Sequence, residues 1–358
     1  MSKKKIFLYA SDIAAYIGQN HYDFVTPFER LWKRCDLESY NRIINLAKNV
    51  LTEKQLEIEV IDTKKNILEN DLLDKKITQR QYTLAINKLK KKELEIKVTA
   101  SNLEQKIDNI DLNQQQRLEK VIGKDSIDKM QSSNIETDDK RIEITSILDK
   151  LDISHDKKQL LKKESESFIN KTHGTLKEDD AISMYEKKFN VKLDTSQKFN
   201  MVNISIDSNF EWYICGKVDG LYINEDDNYI VEVKNRTKSF FTTLRDYEKT
   251  QIQLYMYMLN MNKAKLVEKY KDKIRITIVY KDQEYQDNIV KYLSIFIKNF
   301  ESRFINDDDA KTNFVNKTSD DKKIYLKKLY LNDILNEQLK LEFESDKDDE
   351  ECLIDDLD

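Results

Sequence analysis

Proline and glycine are almost missing from this chain: 358 residues carry one proline and five glycines. An all-β sandwich or barrel needs many tight turns and draws on both residues, so their scarcity points to long helices instead. Cysteine is equally sparse. Cys35, Cys215 and Cys352 lie far apart with no C-x-x-C spacing, which suggests neither a disulfide framework nor a zinc site. His155 and His173 have no second ligand three or four residues away, and His21 stands alone in a loop, so none reads as a metal ligand. No apolar run reaches the ~18 residues that a membrane helix requires, and Lys3-Lys4-Lys5 precedes only a short apolar patch. Neither a membrane span nor a signal peptide is expected, and a reducing, cytoplasmic setting fits.

Charge is what the chain has in abundance, at 35% of residues. The net charge of −5 argues at first against a nucleic-acid partner. Residues 341–358, however, hold ten acids and one lysine, a charge of −9, which leaves +4 on the rest. A mildly basic body with an acidic tail is compatible with binding a phosphate backbone.

The chemistry concentrates between Gly216 and Lys234. Asp219 closes one apolar run, and Glu232 and Lys234 sit in a second, Tyr229 to Val233. Both runs are short and rich in β-branched and aromatic residues, and the polar stretch Asn224 to Asn228 between them supplies a turn. Two antiparallel strands are therefore expected. Alternation along the second strand sends Glu232 and Lys234 to one face while Val231 and Val233 point into the core. The hairpin can bring Asp219 beside Glu232. Two carboxylates and an ammonium close to a core are costly unless a cation and a substrate use them. Hard carboxylate oxygens suit Mg²⁺, and a neighbouring lysine can orient a water or offset developing charge, so phosphodiester hydrolysis fits. A surface hairpin with a Glu–Lys pair is the plainer alternative.

The sequence Gly216-Lys217-Val218-Asp219-Gly220, then Val231-Glu232-Val233-Lys234, then Gln251-Ile252-Gln253-Leu254-Tyr255 resembles the core of the PD-(D/E)XK nucleases. More narrowly, it resembles the YqaJ-like viral recombinases, the group that includes lambda exonuclease. Upstream, Gly174-Thr175-Leu176-Lys177-Glu178 with Ala181, Tyr185 and Glu186 is similar to that group's helix bearing an early acid. Ala10-Ser11-Asp12-Ile13-Ala14, Gly18-Gln19-Asn20 and Thr26-Pro27-Phe28 are similar to its opening segment. The resemblance covers about residues 5–36 and 170–305.

The resemblance implies an α/β (α+β) fold with a restriction-endonuclease-like core, in which a mixed four-stranded sheet is flanked by helices. It implies a Mg²⁺-dependent deoxyribonuclease, with Mn²⁺ able to substitute, that resects double-stranded DNA ends with 5′-to-3′ polarity. Such an enzyme would feed a single-strand annealing protein in recombination, repair or replication of viral DNA, and could be a homo-oligomer. Asp219 and Glu232 would hold the metal, the Val233 carbonyl would add a ligand, and Glu178 would complete the acidic shell. Lys234 would orient the attacking water and Gln251 would hold that lysine or the DNA. Ser11 would lie near a terminal phosphate, where its hydroxyl and the amides of a helix start suit an anion. Tyr255 would pack beside Gln251 and belong, with Ser11, to the DNA-binding residues. Arg236 and Lys238 follow the second strand directly and suit phosphate contacts, although they could form only a basic loop. A structure-selective or sequence-specific endonuclease on the same core, and a catalytically silent DNA-binding or coiled-coil scaffold, are the rival readings.

Four segments follow. Residues 1–36 open the core with a strand, Ile6 to Tyr9, a helix capped by Ser11, and a second helix with Thr26 at its N-cap and Pro27 at its first position. Residues 37–170 read as a helical insertion. Tyr82, Ile86, Leu89, Glu93, Ile96, Ala100, Leu103, Ile107 and Ile110 keep 4-3 spacing with one charged intruder, and Ile58, Ile61, Leu68 and Leu72 form an earlier seam. Thr78 with Gln81 makes a capping box between them, which predicts an antiparallel helical hairpin whose second arm ends at Gly123. Residues 171–306 carry the catalytic core, with strands centred on Val202 to Ile206, Trp212 to Tyr222, Tyr229 to Lys234 and Ile274 to Tyr280, and helices over Leu244 to Met261 and Tyr285 to Phe304. Residues 307–358 read as polar, with a weak helix from Lys322 to Leu341 and a disordered acidic end.

Overall fold

The structure is a computed structural model that describes residues 3–340 apart from 21, 154 and 226, and without the side chains at 102, 105–111, 156 and 319. The acidic end, Cys352 included, lies outside the described residues, as do the side chains of the seam positions Ile107 and Ile110. The fold is mixed α+β. Its strands are β1 (Lys4–Tyr9), β2 (Asn200–Ile204), β3 (Phe210–Gly216), β4 (Gly220–Ile223), β5 (Asn228–Asn235), β6 (Lys263–Tyr270) and β7 (Lys273–Tyr280). The opening helices are α1 (Ala10–Tyr16) and α2 (Val25–Cys35). Next come α3 (Leu37–Leu73), α4 (Gln79–Asp111), α5 (Gln114–Ile122), α6 (Lys124–Gln131), α7 (Thr137–Lys150) and α8 (His155–Leu176). The core continues with α9 (Glu178–Phe189), α10 (Asp246–Leu259) and α11 (Gln283–Phe300), then α12 (Asp308–Val315) and α13 (Ser319–Leu326).

The strands make two sheets. One is β1-β3-β2, with β1 parallel and β2 antiparallel to β3. The other is the mixed four-stranded sheet β4-β5-β6-β7, in which β5 and β6 run parallel between two antiparallel neighbours. The expected hairpin is β4–β5, with Gly220 opposite Val231. Its strand β5 is central rather than peripheral. Tyr229, Val231 and Val233 pack with Ala181 and Tyr185 of α9, while Ile230 on the other face joins the cluster of Ile252 and Met256 of α10. Both faces are covered, so Glu232 is as buried as its apolar neighbours, at 2% exposure.

Several expectations need correcting. The run Trp212 to Tyr222 is not one strand. It breaks at residues 217–219, where the chain leaves the first sheet for the second, and Asp219 sits at that junction. The strand β6 went unrecognised. In it, Lys265 lies over the Tyr229 ring at 3.7 Å and donates to the Tyr185 hydroxyl at 3.2 Å. The stems of such lysines bury while their heads find π-faces and oxygens. Ser11 caps nothing: β1 runs straight into α1 with Tyr9 as the N-cap, and Ser11 is exposed in the first turn. Likewise α2 begins at Val25, and Asp23 rather than Thr26 supplies the acceptor, taking the Thr26 N–H at 3.1 Å.

Helices α3 and α4 pack along each other on either side of a short turn. The capping box at the turn is present, with the Thr78 N–H donating to Gln81 Oε1 at 2.9 Å and the Gln81 N–H to Thr78 Oγ1 at 3.3 Å. At ~1.5 Å per residue the 37-residue α3 spans about 55 Å. Ile61 of α3 and Ile86, Ile96 and Ala100 of α4 are all buried. The charged intruder Glu93 is matched across the seam by Lys65 and along α4 by Lys97. Gly123 does not end this arm. The arm stops at Asp111, and Gly123, at φ +81°, ends the short α5. Helices α5 to α8 then build a small core of their own around Leu118, Ile127, Leu148 and Ile169.

The segment after Asn306 is more than polar. Phe314 and Tyr330 stack around Phe28 together with Phe296, Phe300 and Phe304, and all six rings are fully buried. Lys322 reaches Glu29 at 2.6 Å and lies over Phe314. Cys35 and Cys215 are free and buried. Among the described residues no helix is long and apolar enough to cross a membrane.

Candidate active site

The sheet change at residues 217–219 and the pleat of β5 determine the site. Asp219 precedes Gly220, the partner of Val231, so its side chain stands opposite Glu232. Its Oδ2 accepts the Val233 N–H at 2.7 Å. From the same face of β5, Lys234 Nζ donates to Glu232 Oε1 at 2.6 Å and to Gln251 Oε1 at 3.2 Å. Gln251 in turn donates through Nε2 to the Tyr255 hydroxyl at 2.9 Å, one turn further along α10. Tyr255 can approach only because residue 216 is glycine: a Cβ there would stand 2.7 Å from Tyr255 Cε1. Asp219, Glu232, Lys234 and Gln251 are thus brought together by the link between the sheets, by β5 and by α10.

Burial sets the electrostatics. Desolvation and the adjacent Asp219 push the Glu232 carboxyl up to about 8. Desolvation likewise raises Asp219, to about 6, against the pull of Lys234 and the Val233 N–H. Burial opposes the charge of Lys234, but Glu232 and Asp219 outweigh it and hold its pKa above the ordinary lysine value. The pocket therefore keeps a protonated amine beside two carboxyls that resist ionising together.

Glu178 stands at the rim as the first residue of α9, half-buried, and accepts from Gln197 Nε2 at 2.9 Å. Its carboxyl is raised by burial and then by Glu232, so it feels the pair without joining it. Among the described residues no three acidic, histidine or cysteine side chains are drawn close enough to hold an ion between them. The donor chemistry still fits one. Glu232 Oε2 is buried and accepts no hydrogen bond. A buried carboxylate oxygen without a partner costs on the order of 1–3 kcal/mol or more unless a cation takes it, and carboxylate oxygens are what Mg²⁺ prefers.

The expected phosphate ligands fare differently. Arg236 is not free to meet a phosphate. Its guanidinium is buried, forks onto Glu248 at 2.8 and 3.0 Å, reaches Glu268 at 2.7 Å, and stacks 3.9 Å from the centre of the Phe241 ring. Arg275 joins Glu268 from β7. Tyr255 is 5% exposed and packs against Gly216, so it too faces the interior. Lys238 is exposed and pairs with Glu166 of α8 at 2.6 Å. Ser11 lines a separate hollow with Tyr9, Asp12, Arg30, Lys33 and Arg34, in which Asp12 pairs with Arg30 at 2.8 Å.

Two features went unseen in the sequence. The Arg236–Glu248–Glu268–Arg275 network lies behind the site, and Glu248 adds to the negative field on both Glu232 and Lys234. Its members are spread over forty residues with no shared period, so only the folded chain joins them. Helices α7 and α8 also touch β5 and the loop that follows it. Asn235 Nδ2 donates to the Gly174 carbonyl at 3.0 Å, and Arg141 of α7 donates to Thr237 Oγ1 at 3.1 Å.

No protein-family model matches the sequence, and no curated protein matches it. Among solved structures, the chain is similar to SSO0001 at 18% identity and a TM-score of 0.30, over 48% of this chain and 81% of that one. It is similar to LHK-Exo, an alkaline exonuclease from Laribacter hongkongensis, at 12% identity and a TM-score of 0.30, over 50% and 87%. The complex of LHK-Exo with dAMP gives 14%, 0.27, 49% and 85%. At these TM-scores the likenesses carry no argument, and the functional reading rests on the site.

Proposed function

We propose that this chain is a Mg²⁺-dependent DNA exonuclease that hydrolyses phosphodiester bonds at double-stranded ends in the 5′-to-3′ direction. The observation that carries the reading is the buried convergence of Asp219, Glu232 and Lys234, with Glu232 Oε2 left without a protein partner. Asp219 and Glu232 would hold the cation, the Val233 carbonyl would add a ligand, and Glu178 at the rim would act through water. Mn²⁺ would substitute. When bound, the ion polarises a phosphate and lowers the pKa of a bound water.

The remaining work belongs to the side chains. Lys234 stays protonated between Glu232 and Gln251, so its ammonium can orient the attacking water and offset charge that builds on the phosphate. Gln251 gives the amine a second acceptor beside Glu232, and Tyr255 accepts from Gln251 in turn. Asp219 is held by the Val233 N–H, which leaves its other oxygen for the ion. Lys238 and the cations around Ser11 offer exposed contacts for a duplex backbone. The polarity, and a part in end resection with a single-strand annealing protein, come from the sequence resemblance to YqaJ-like recombinases.

Duplex DNA labelled separately at its 5′ and 3′ ends, digested with Mg²⁺ and with chelator, tests this reading. The wild type should release 5′ label first and only with the ion, and Lys234→Ala should lose at least about 100-fold in rate. Equal activity in Lys234→Ala would remove the site. Cleavage of a closed circle at a comparable rate would replace the exonuclease with an endonuclease.

A further inference from the structure

A second binding feature adjoins the proposed hydrolytic site and rests on that reading. Gln251 and Tyr255 occupy one face of α10, four residues apart, and Tyr247 continues that face one turn towards the helix start. Tyr247 is half-buried, and the edge of one ring meets Tyr22: their centroids are 6.3 Å apart and their planes stand at 87°. Tyr22 itself is 77% exposed.

The loop that carries Tyr22 is fastened down. Gln19 Oε1 accepts from the Thr250 and Tyr285 hydroxyls, which bolts the loop to α10 and α11. Asn20 Oδ1 accepts the Tyr22 N–H at 3.1 Å and fixes the turn leading to the ring. Among the described residues, the ring contact of Tyr22 is the edge-on one with Tyr247, and most of the side chain faces solvent. Aromatic rings placed so are typical of surfaces that meet a partner.

We propose that Tyr22 and Tyr247 form a right-angled aromatic corner on which a nucleobase stacks, the base belonging to the nucleotide whose phosphate lies at Lys234. Gln251, the residue between Tyr247 and Tyr255 on the same helix face, touches the Lys234 amine, so base and phosphate of one nucleotide can be served from one side of α10. Every base presents a π-face, so such a corner strengthens binding without reading sequence. It favours a base freed from its pair over one stacked inside a duplex.

The test uses the full chain in chelator, where hydrolysis is stopped, and a duplex carrying 2-aminopurine placed in turn along its 5′ end. A matching duplex carries an abasic residue at the same position. Wild type and Tyr22→Phe should quench the 2-aminopurine on binding. Tyr22→Ala should lose the quenching and bind the intact duplex about ten-fold more weakly. On the abasic duplex, wild type and Tyr22→Ala should bind alike. Equal weakening of Tyr22→Ala on both duplexes, or quenching that survives the substitution, overturns the proposal. Because Tyr22 is exposed, an unchanged thermal midpoint in Tyr22→Ala excludes misfolding as the cause. Digestion by the wild type in Mg²⁺ separates the two readings. Cleavage without quenching removes the stacking corner alone, and quenching without cleavage removes the hydrolase alone.

Discussion

Arg236 offers a sharp contrast between two roles that the sequence could not separate. As a phosphate ligand it would be dispensable to the fold and felt in DNA affinity. As found, it is one cation shared by Glu248 and Glu268, whose side chains are 2% and 1% exposed. In Arg236→Ala, Glu268 keeps Arg275, but Glu248 loses both arms of its fork. Stranding one member of a buried pair costs about 3–5 kcal/mol, and loss of the stack on Phe241 adds roughly 0.5–2. Against a typical total of ~5–15 kcal/mol this is a large fraction. The urea midpoint of Arg236→Ala should fall accordingly, with the slope unchanged. Arg236→Met with Glu248→Leu should recover most of the loss, because no orphaned charge remains. In conditions where Arg236→Ala is folded, the slope of log affinity for DNA against log salt should match the wild type. A slope reduced by about one would mean that a phosphate contact had gone. That result, or an unshifted urea midpoint, would refute the structural role.

Three further outcomes follow from the packing. Gly216→Ala places a methyl 2.7 Å from Tyr255 Cε1, so it should cost about 1–3 kcal/mol and, by displacing Tyr255 and Gln251, lower hydrolysis at least ten-fold; a thermal melt and a rate assay check both. Phe28→Ala opens the centre of the six-ring cluster and should lose about 3–5 kcal/mol in urea unfolding without touching the site. Glu93 is held at about 2, first by Lys65 and then by Lys97, below its ordinary carboxyl value. A depressed folded pKa means that its contribution is present above pH ~4.5 and lost as the pH falls towards ~2. The extra hydrogen-exchange protection of the hairpin in wild type over Glu93→Gln should therefore vanish across that window, and a constant difference would contradict the pairing.

Much of the fold was legible because its signals are local. The 4-3 spacing and the Thr78–Gln81 box specify a helical hairpin without reference to the rest of the chain. Alternation around Glu232 specifies a strand and the side of it that carries charge. What escaped was non-local. Strand β6 has covering groups that are remote in sequence: the aromatic rings of α9 and β5 lie beneath Lys265. The break at residues 217–219 carries no proline and is a consequence of the chain changing sheets. Arg236 reads as a basic loop residue because its acids lie 12 and 32 positions away. At the site, the sequence named the residues that meet, Asp219, Glu232, Lys234 and Gln251, while the exposure of Ser11 and the burial of Tyr255 depended on packing that spacing does not encode.

Asp219 and Glu232 either share one divalent ion beside Lys234 or they do not. Crystals grown in Mn²⁺ and measured at its absorption edge would decide this directly. The account requires an anomalous peak at bonding distance from both Asp219 and Glu232 Oε2, absent from Glu232→Gln crystals grown alongside. A pocket without density in wild-type crystals saturated with the ion, or a peak that survives in Glu232→Gln, would contradict it.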